Sequence, residues 1–255
     1  MLISIREQSK IYGIYPTGVV HVGGHSGEEF SEYKNHKWGN VLWVEAQPKL
    51  AKHLEKLIIG SGDRVINAAV WDSSGVKLNL HITSNSESTS LLEFGTHSLE
   101  HPEIVVTSEL EVITETLDDI VPKDWQFNYV ALDIQGVELR ALEGFKAGLA
   151  GVNWICTEVN NKEVYKGCAQ ITELDTYLSA HDFKRCATRM TSFGWGDAIY
   201  IRSSHIQKMT FKKRLIQIPY LANFAWLQIK SITKQLIRKV FLRSPKSQFC
   251  SLEKQ

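Results

Sequence analysis

The sequence predicts an α/β domain, a mostly parallel sheet with helices on both faces, followed by a basic helical appendage. Three observations predict it. Short apolar runs alternate with stretches of 3.6-residue periodicity, the pattern of βα units that feed a parallel sheet. Three of those runs end in an acid, at Glu45, Asp133 and Glu158. The charge is also divided: residues 205–255 carry eleven Lys or Arg against one acid, Glu253, which leaves 18 bases and 27 acids in residues 1–204. The boundary between domain and appendage is therefore set at 204/205, with a single α/β domain over 1–204.

The elements follow in order. After an N-terminal helix, Gly18 to Val22 is a short buried strand that runs into the glycine turn Gly23-Gly24. Ser26 to Tyr33 opens a helix, with Glu28 and Glu29 where the dipole of a first turn favours acids. Asn40 to Glu45 is a second strand, and Pro48 starts a helix striped by Leu50, Leu54, Leu57 and Ile58. Arg64 to Val70 reads as a third strand. Val76 to Ile82 alternates with period two, as a half-buried antiparallel strand does, and the polar segment Thr83 to Ser90 is a loop. Leu110 to Ile113 adds a strand and Thr116 to Ile120 a short helix. Tyr129 to Asp133 is a buried strand, followed by a helix from Val137 to Phe145. Trp154 to Glu158 is the next strand and Ile171 to Ala180 the next helix. Phe183 to Ala187 and Asp197 to Arg202 close the sheet as a hairpin.

Composition bounds the classes. A chain of 255 residues with 43% apolar and 22% charged residues buries a core, which excludes wholesale disorder. No apolar run approaches the ~18 residues of a membrane helix, and Arg6, Glu7 and Lys10 interrupt any signal-peptide core near the start. The four cysteines form no CxxC pair, so reduced thiols in a cytoplasmic setting are expected.

In such a sheet, ligands bind beyond the carboxyl ends of the strands. There the first strand gives His21-x-Gly23-x-x-x-Gly27, the second Glu45, and two later ones Asp133 and Glu158. Gly23 and Gly27 suit a tight turn and close approach to a ligand, and an acid one strand over suits the two hydroxyls of a ribose. The dinucleotide pattern GxGxxG fails, because His25 and Glu28 stand where its second and third glycines would be. Blander readings coexist: the glycines as turn residues, His21 and His25 as satisfied strand-end histidines, Asp133 and Glu158 as caps or ion-pair partners.

Taken together and in order, these segments resemble the FkbM-type methyltransferases, within the class I S-adenosylmethionine-dependent enzymes. The resemblance spans about Gly18 to Arg202. It rests on Val20-His21-Val22-Gly23-Gly24-His25-Ser26-Gly27, Trp43-Val44-Glu45-Ala46-Gln47-Pro48, Asn67-Ala68-Ala69-Val70, Ser88-Thr89-Ser90-Leu91-Leu92 and Glu115-Thr116-Leu117-Asp118. Leu132-Asp133-Ile134-Gln135-Gly136-Val137-Glu138 with Leu142-Glu143-Gly144 is the most specific stretch; Thr157-Glu158-Val159 and Asp197-Ala198-Ile199-Tyr200 complete it. One departure stands at His21, two residues before the first glycine, where class I enzymes usually carry an acid.

The resemblance implies a seven-stranded class I, Rossmann-like sheet and S-adenosylmethionine as cofactor. It places His21, Gly23, Gly24 and Gly27 at the amino-acid part of the cofactor, Glu45 at the ribose, and Ala68, Ala69 and the residues to Trp71 near the adenine. Ser88 lies in a hydroxyl-rich loop over the site, and Asp133 faces the reaction chamber. For the general base the residues offer His25, Asp133 and Glu158 and do not choose among them. Asp133, Glu158 and Asn160 also carry oxygens of the kind that ligate Mg²⁺. Family association, not any residue here, suggests a hydroxyl on a sugar, glycan, glycolipid or related natural product as acceptor.

The tail has a stripe of its own. Ala225, Ile229, Ile232, Leu236 and Val240 fall on one helical face with Lys230, Lys234 and Arg238 opposite. That is the pattern of an interfacial helix at the inner face of a membrane, and equally of a helix packed on the body or in a homo-oligomer. Nucleic acid is not expected, because no binding motif or stacking platform accompanies the charge. Two other functions stay open. One is another nucleoside-ligand enzyme, such as a dehydrogenase; the other is a noncatalytic or membrane-surface adaptor that retains the fold.

Overall fold

Alternate residues of each central strand feed opposite cores, and this is what makes the sheet a buried middle layer. The structure, a computed structural model, describes residues 1–206. Five strands come first: β1 (Gly18–Val22), β2 (Asn40–Glu45), β3 (Arg64–Asn67), β4 (Ala69–Val70) and β5 (Lys77–Thr83). Then follow β6 (Val106–Glu115), β7 (Tyr129–Leu132), β8 (Trp154–Asn160), β9 (Phe183–Met190) and β10 (Trp195–Arg202). The helices are α1 (Ile5–Tyr12), α2 (Phe30–Asn35), α3 (Pro48–Leu57), α4 (His97–Glu100), α5 (Leu117–Ile120), α6 (Glu138–Glu143), α7 (Ile171–Ala180) and α8 (Ser203–Ile206).

Seven strands form the main sheet in the order β3-β2-β1-β7-β8-β10-β9. All neighbours are parallel except β10, which runs antiparallel to both β8 and β9. Val20, Val22, Leu42, Val130, Leu132 and Ile155 pack with Ala141 and Leu142 of α6 and Leu174 and Leu178 of α7. On the other face, Val19, Val41, Trp43, Tyr129 and Cys156 pack with Ile5 and Tyr12 of α1, Tyr33 of α2 and Leu54 of α3. Strands buried on both faces need near-continuous apolar runs, which is why these read so plainly in the sequence.

The helix ends have local causes. Ser4 and Glu7 form a reciprocal capping box on α1, and Gly13, with φ 66°, ends it. Pro48 starts α3 at a position where no N–H is missed.

Several expectations are corrected. The helix expected from Ser26 begins only at Phe30, because His25 (φ 43°) and Gly27 (φ 82°) turn the chain through left-handed conformations first. The helix expected from Val137 to Phe145 is the shorter α6. The strand expected over Arg64–Val70 breaks at Ala68: β3 joins the main sheet, while β4 joins β5 and β6 in a separate three-stranded sheet ordered β4-β6-β5. Glu158 does not end its strand, since β8 runs on to Asn160. Cys156, Cys168 and Cys186 are buried free thiols. Among the described residues, no helix is long and apolar enough to cross a membrane. The amphipathic stripe from Ala225 to Val240 lies outside the described residues.

Candidate active site

Strand register assembles the site. Val22 pairs with Val44 and with Leu132, and Leu132 pairs with Thr157. The next residue on each strand is therefore Gly23, Glu45, Asp133 and Glu158, set side by side along the carboxyl edge of the sheet. Asp197 of β10 pairs with Glu158 and extends the row. Over this row lies a cavity of about 460 Å³, within the ~300–1,000 Å³ range of small-molecule sites. His21, Gly23, His25, Glu45, Ala68, Ala69, Ser88, Asp133 and Glu158 all line it. Gly24 and Gly27 do not. A Cβ on Gly24 would come within 2.8 Å of the Leu54 side chain and one on Gly27 within 2.5 Å of Leu57, so both glycines let the turn seat against α3. Gly23 has φ 87°, and a Cβ there would lie 1.9 Å from the Asp133 carbonyl oxygen; only glycine lets the first turn pass the β7 turn.

Glu45 is 6% exposed, and each of its oxygens accepts a backbone N–H at 2.8 Å, Oε2 from His25 and Oε1 from Gln47. A carboxylate has about four acceptor positions, so two remain for a ligand. Burial pushes its pKa up, against the pull of those N–H donors. His25 itself is occupied: Nδ1 lies 2.7 Å from Glu28 Oε1 and Nε2 2.8 Å from Ser86 Oγ. Its ring ties the first turn to the Ser86–Ser88 loop. His21 is buried against Trp43 (ring centroids 4.8 Å apart) with Nδ1 3.0 Å from the Tyr33 hydroxyl, and burial lowers its pKa. It stands two residues before Gly23, where the resemblance leads one to expect an acid.

The turn after β7 is tightly braced. Glu138 is 2% exposed and accepts the N–H groups of Ile134 and Gly136; burial raises its pKa to about 7. Gln135, held at φ 57°, donates from Nε2 to Asp133 Oδ1 (2.8 Å) and to Glu158 Oε2 (3.1 Å). Its Oε1 accepts from the Tyr165 hydroxyl at 2.7 Å. Burial raises the pKa of Asp133. Glu158 is pushed well above the carboxylate range by burial and then by the charges of Glu138, Asp133 and Asp197. Asp197 is raised to about 6, chiefly by burial.

The Mg²⁺ set of Asp133, Glu158 and Asn160 does not assemble. The Gln135 amide occupies the position between the two carboxylates, Asn160 is not in the cavity wall, and no group of three or more His, Cys, Asp or Glu among the described residues is placed to hold a metal.

Several cavity residues carry no signal in the strand pattern. Tyr165 comes from an irregular segment and His97 from the one-turn helix α4, and Asp197 sits inside a hairpin strand. Gln135 does stand in the motif, between Asp133 and Glu138, where its hydrogen-bonding residue type could have marked it. His97 stacks on Phe94 (4.3 Å, 13°) and places Nε2 3.2 Å from Ser88 Oγ.

A family model, the methyltransferase FkbM domain, matches residues 21–185. No curated protein matches the chain. Among solved structures, a protein in the NADB-Rossmann superfamily from Streptococcus agalactiae superposes with a TM-score of 0.51 at 13% identity, covering 94% of this chain and 85% of that one. TrmK of M. capricolum, in complex with S-adenosyl-homocysteine, gives 0.44 at 13% identity over 92% of this chain and 88% of that one. Magnesium protoporphyrin IX methyltransferase from Synechocystis, with bound S-adenosylmethionine, gives 0.42 at 12% identity over 72% and 69%. At such identity the likeness to the first of these is one of fold, a Rossmann-like sheet.

Proposed function

From the premise that this chain belongs to the methyltransferase FkbM domain family, we propose that it uses S-adenosylmethionine to methylate a hydroxyl on a sugar, glycan or related natural-product acceptor. The observation that carries the reading is the register-built row. Gly23, Glu45 and Asp133 stand side by side over one cavity, with Ala68, Ala69 and Ser88 in its wall. These residues fit that cofactor: a glycine turn, an acid with two open acceptor positions for a ribose, and a cavity rich in carboxylates for a cationic sulfonium.

When bound, the cofactor supplies an activated methyl group on sulfur. The protein's part is alignment and removal of one proton. Asp133 would take the proton of the acceptor hydroxyl, so that the oxygen could accept the methyl group the cofactor would supply. Asp133 suits this because one oxygen is fixed by Gln135, which leaves the other for the acceptor, and its raised pKa brings it toward the working range of a base. His25, with both ring nitrogens engaged, positions Glu45 through its backbone N–H. Transfer of a labelled methyl group to a panel of glycosides tests the reading. Product from the wild type, and none from a heat-denatured control, is expected; methylation confined to nitrogen acceptors would contradict it.

Residues 205–255 we propose to bring the enzyme to an anionic surface or a lipid-linked acceptor, on the strength of their eleven bases against one acid. Each Lys or Arg near an anionic leaflet is worth about 1 kcal/mol. The full chain should sediment with phosphatidylserine vesicles at low salt and be released at high salt. No sedimentation at low salt would contradict this.

A further inference from the structure

The cavity is lopsided in charge. Seven carboxylates line it, and no lysine or arginine does among the described residues; its one cation there is the Met1 amine, 3.4 Å from Glu29. Most of the acids are accounted for. Glu45 holds two backbone N–H groups, Asp197 accepts the Ile3 N–H at 2.9 Å, and Glu28 meets the His25 ring. Glu158 is different. It is 5% exposed, Gln135 satisfies only its Oε2, and its Oε1 has no hydrogen-bond partner. Beside it in the same wall stand Tyr165, Trp195 and His97, the last with a buried, unpartnered Nδ1. Glu158, Gln135 and Tyr165 are one hydrogen-bonded chain, and the Tyr165 and His97 rings lie 5.6 Å apart. This wall is distinct from the Glu45–Ala68 end assigned to the nucleoside.

Resting on the methyltransferase reading, we infer that this wall is an amine subsite: the acceptor carries a protonated amine, as an amino sugar does, which Glu158 binds against the rings of Tyr165 and Trp195. A buried carboxylate beside other carboxylates is costly until a cation joins it. An ammonium brings three N–H donors and one positive charge, and it sits favourably over aromatic faces. S-adenosylmethionine brings a sulfonium and an α-ammonium offset by its own carboxylate, one net positive charge against the seven carboxylates of the lining. A phosphate-bearing or nucleotide-linked sugar would instead meet Asp133, Glu158 and Asp197 with no lysine or arginine among the described residues of the cavity wall. The same field therefore selects against the commonest anionic forms of a sugar.

The test titrates the full chain with glucosamine, glucose and glucose 6-phosphate by ligand-observed NMR, with and without S-adenosylhomocysteine. Binding of S-adenosylhomocysteine is measured first by calorimetry, so failure of the cofactor reading is seen separately from failure of the amine subsite. Glucosamine should bind at least tenfold more tightly than glucose, and glucose 6-phosphate should not saturate. Glu158→Gln, which keeps size and the bond to Gln135 while removing the charge, should bring glucosamine and glucose to within about twofold of each other. Equal binding of glucosamine and glucose by the wild type, absence of saturable glucosamine binding, or competition by glucose 6-phosphate would each overturn the inference. So would an undiminished glucosamine preference in a Glu158→Gln protein of wild-type thermal midpoint.

Discussion

Replacing Glu45 by Ala separates the cofactor role proposed for this residue from its structural one. The carboxylate spends two acceptor positions on the N–H groups of His25 and Gln47 and has two left for ribose hydroxyls. Hydrogen bonds to a charged group are worth about 1.5–3 kcal/mol each, so loss of two removes roughly 3–6 kcal/mol of cofactor binding before compensation by water. A tenfold change needs only about 1.4 kcal/mol, so the dissociation constant for S-adenosylhomocysteine should rise by at least tenfold. The cost to folding is smaller. The two freed N–H groups face a cavity that admits water, and removal of a buried carboxylate, whose pKa burial has raised, recovers its desolvation cost. Calorimetry and thermal melting on the same sample read both effects. A folded Glu45→Ala protein that binds with unchanged affinity would refute the assignment. The pH dependence follows from the same shift. The ribose needs the ionised carboxylate, so affinity should be full at neutral pH and decline as pH falls through a value above the ordinary 4.5.

Asp133→Asn should leave S-adenosylhomocysteine binding within a few-fold while turnover drops by ~10²-fold or more; wild-type turnover would transfer the base to another group. Gln135→Ala strips donors from Asp133 and Glu158 and leaves the Tyr165 hydroxyl without its best acceptor. Each buried group so orphaned costs about 1–3 kcal/mol, which thermal melting would read as a lowered midpoint. Glu138 has a folded pKa of about 7, above its value of 4.5 when unfolded. The folded state thus keeps a proton that the unfolded state releases, and stability from this group is full below about pH 4.5 and lost as pH rises to 7. Glu138→Gln should flatten that part of the stability–pH curve; an unchanged slope in urea melts would assign it elsewhere.

The main sheet was legible because its central strands are buried on both faces and so are written as unbroken apolar runs, from Val19 to Val22 and from Tyr129 to Leu132. The split at Ala68 was not, because β3 and β4 continue one another in sequence and part only through pairing with distant partners, β2 and β6. The false helix start at Ser26 arose from Glu28 and Glu29, which suit a first turn; Glu28 serves instead to hold His25 and Ser26. At the site, the acids Glu45, Asp133 and Glu158 were readable one by one, and register then placed them in a row. What tertiary contact alone supplies is the second wall: Tyr165 reaches the cavity from a loop and His97 from the one-turn helix α4, whose courses no local pattern records. Gly24 and Gly27 sit where an added Cβ would meet Leu54 and Leu57.

The central claim is that the row over β1, β2 and β7 is a site for S-adenosylmethionine, and a paired calorimetric titration tests it most directly. The full chain is titrated with S-adenosylhomocysteine and, separately, with NAD⁺. Saturable one-to-one binding of S-adenosylhomocysteine, weakened at least tenfold by Glu45→Ala, and no saturable binding of NAD⁺, is the predicted result. No binding of S-adenosylhomocysteine, or tighter binding of NAD⁺, would contradict it.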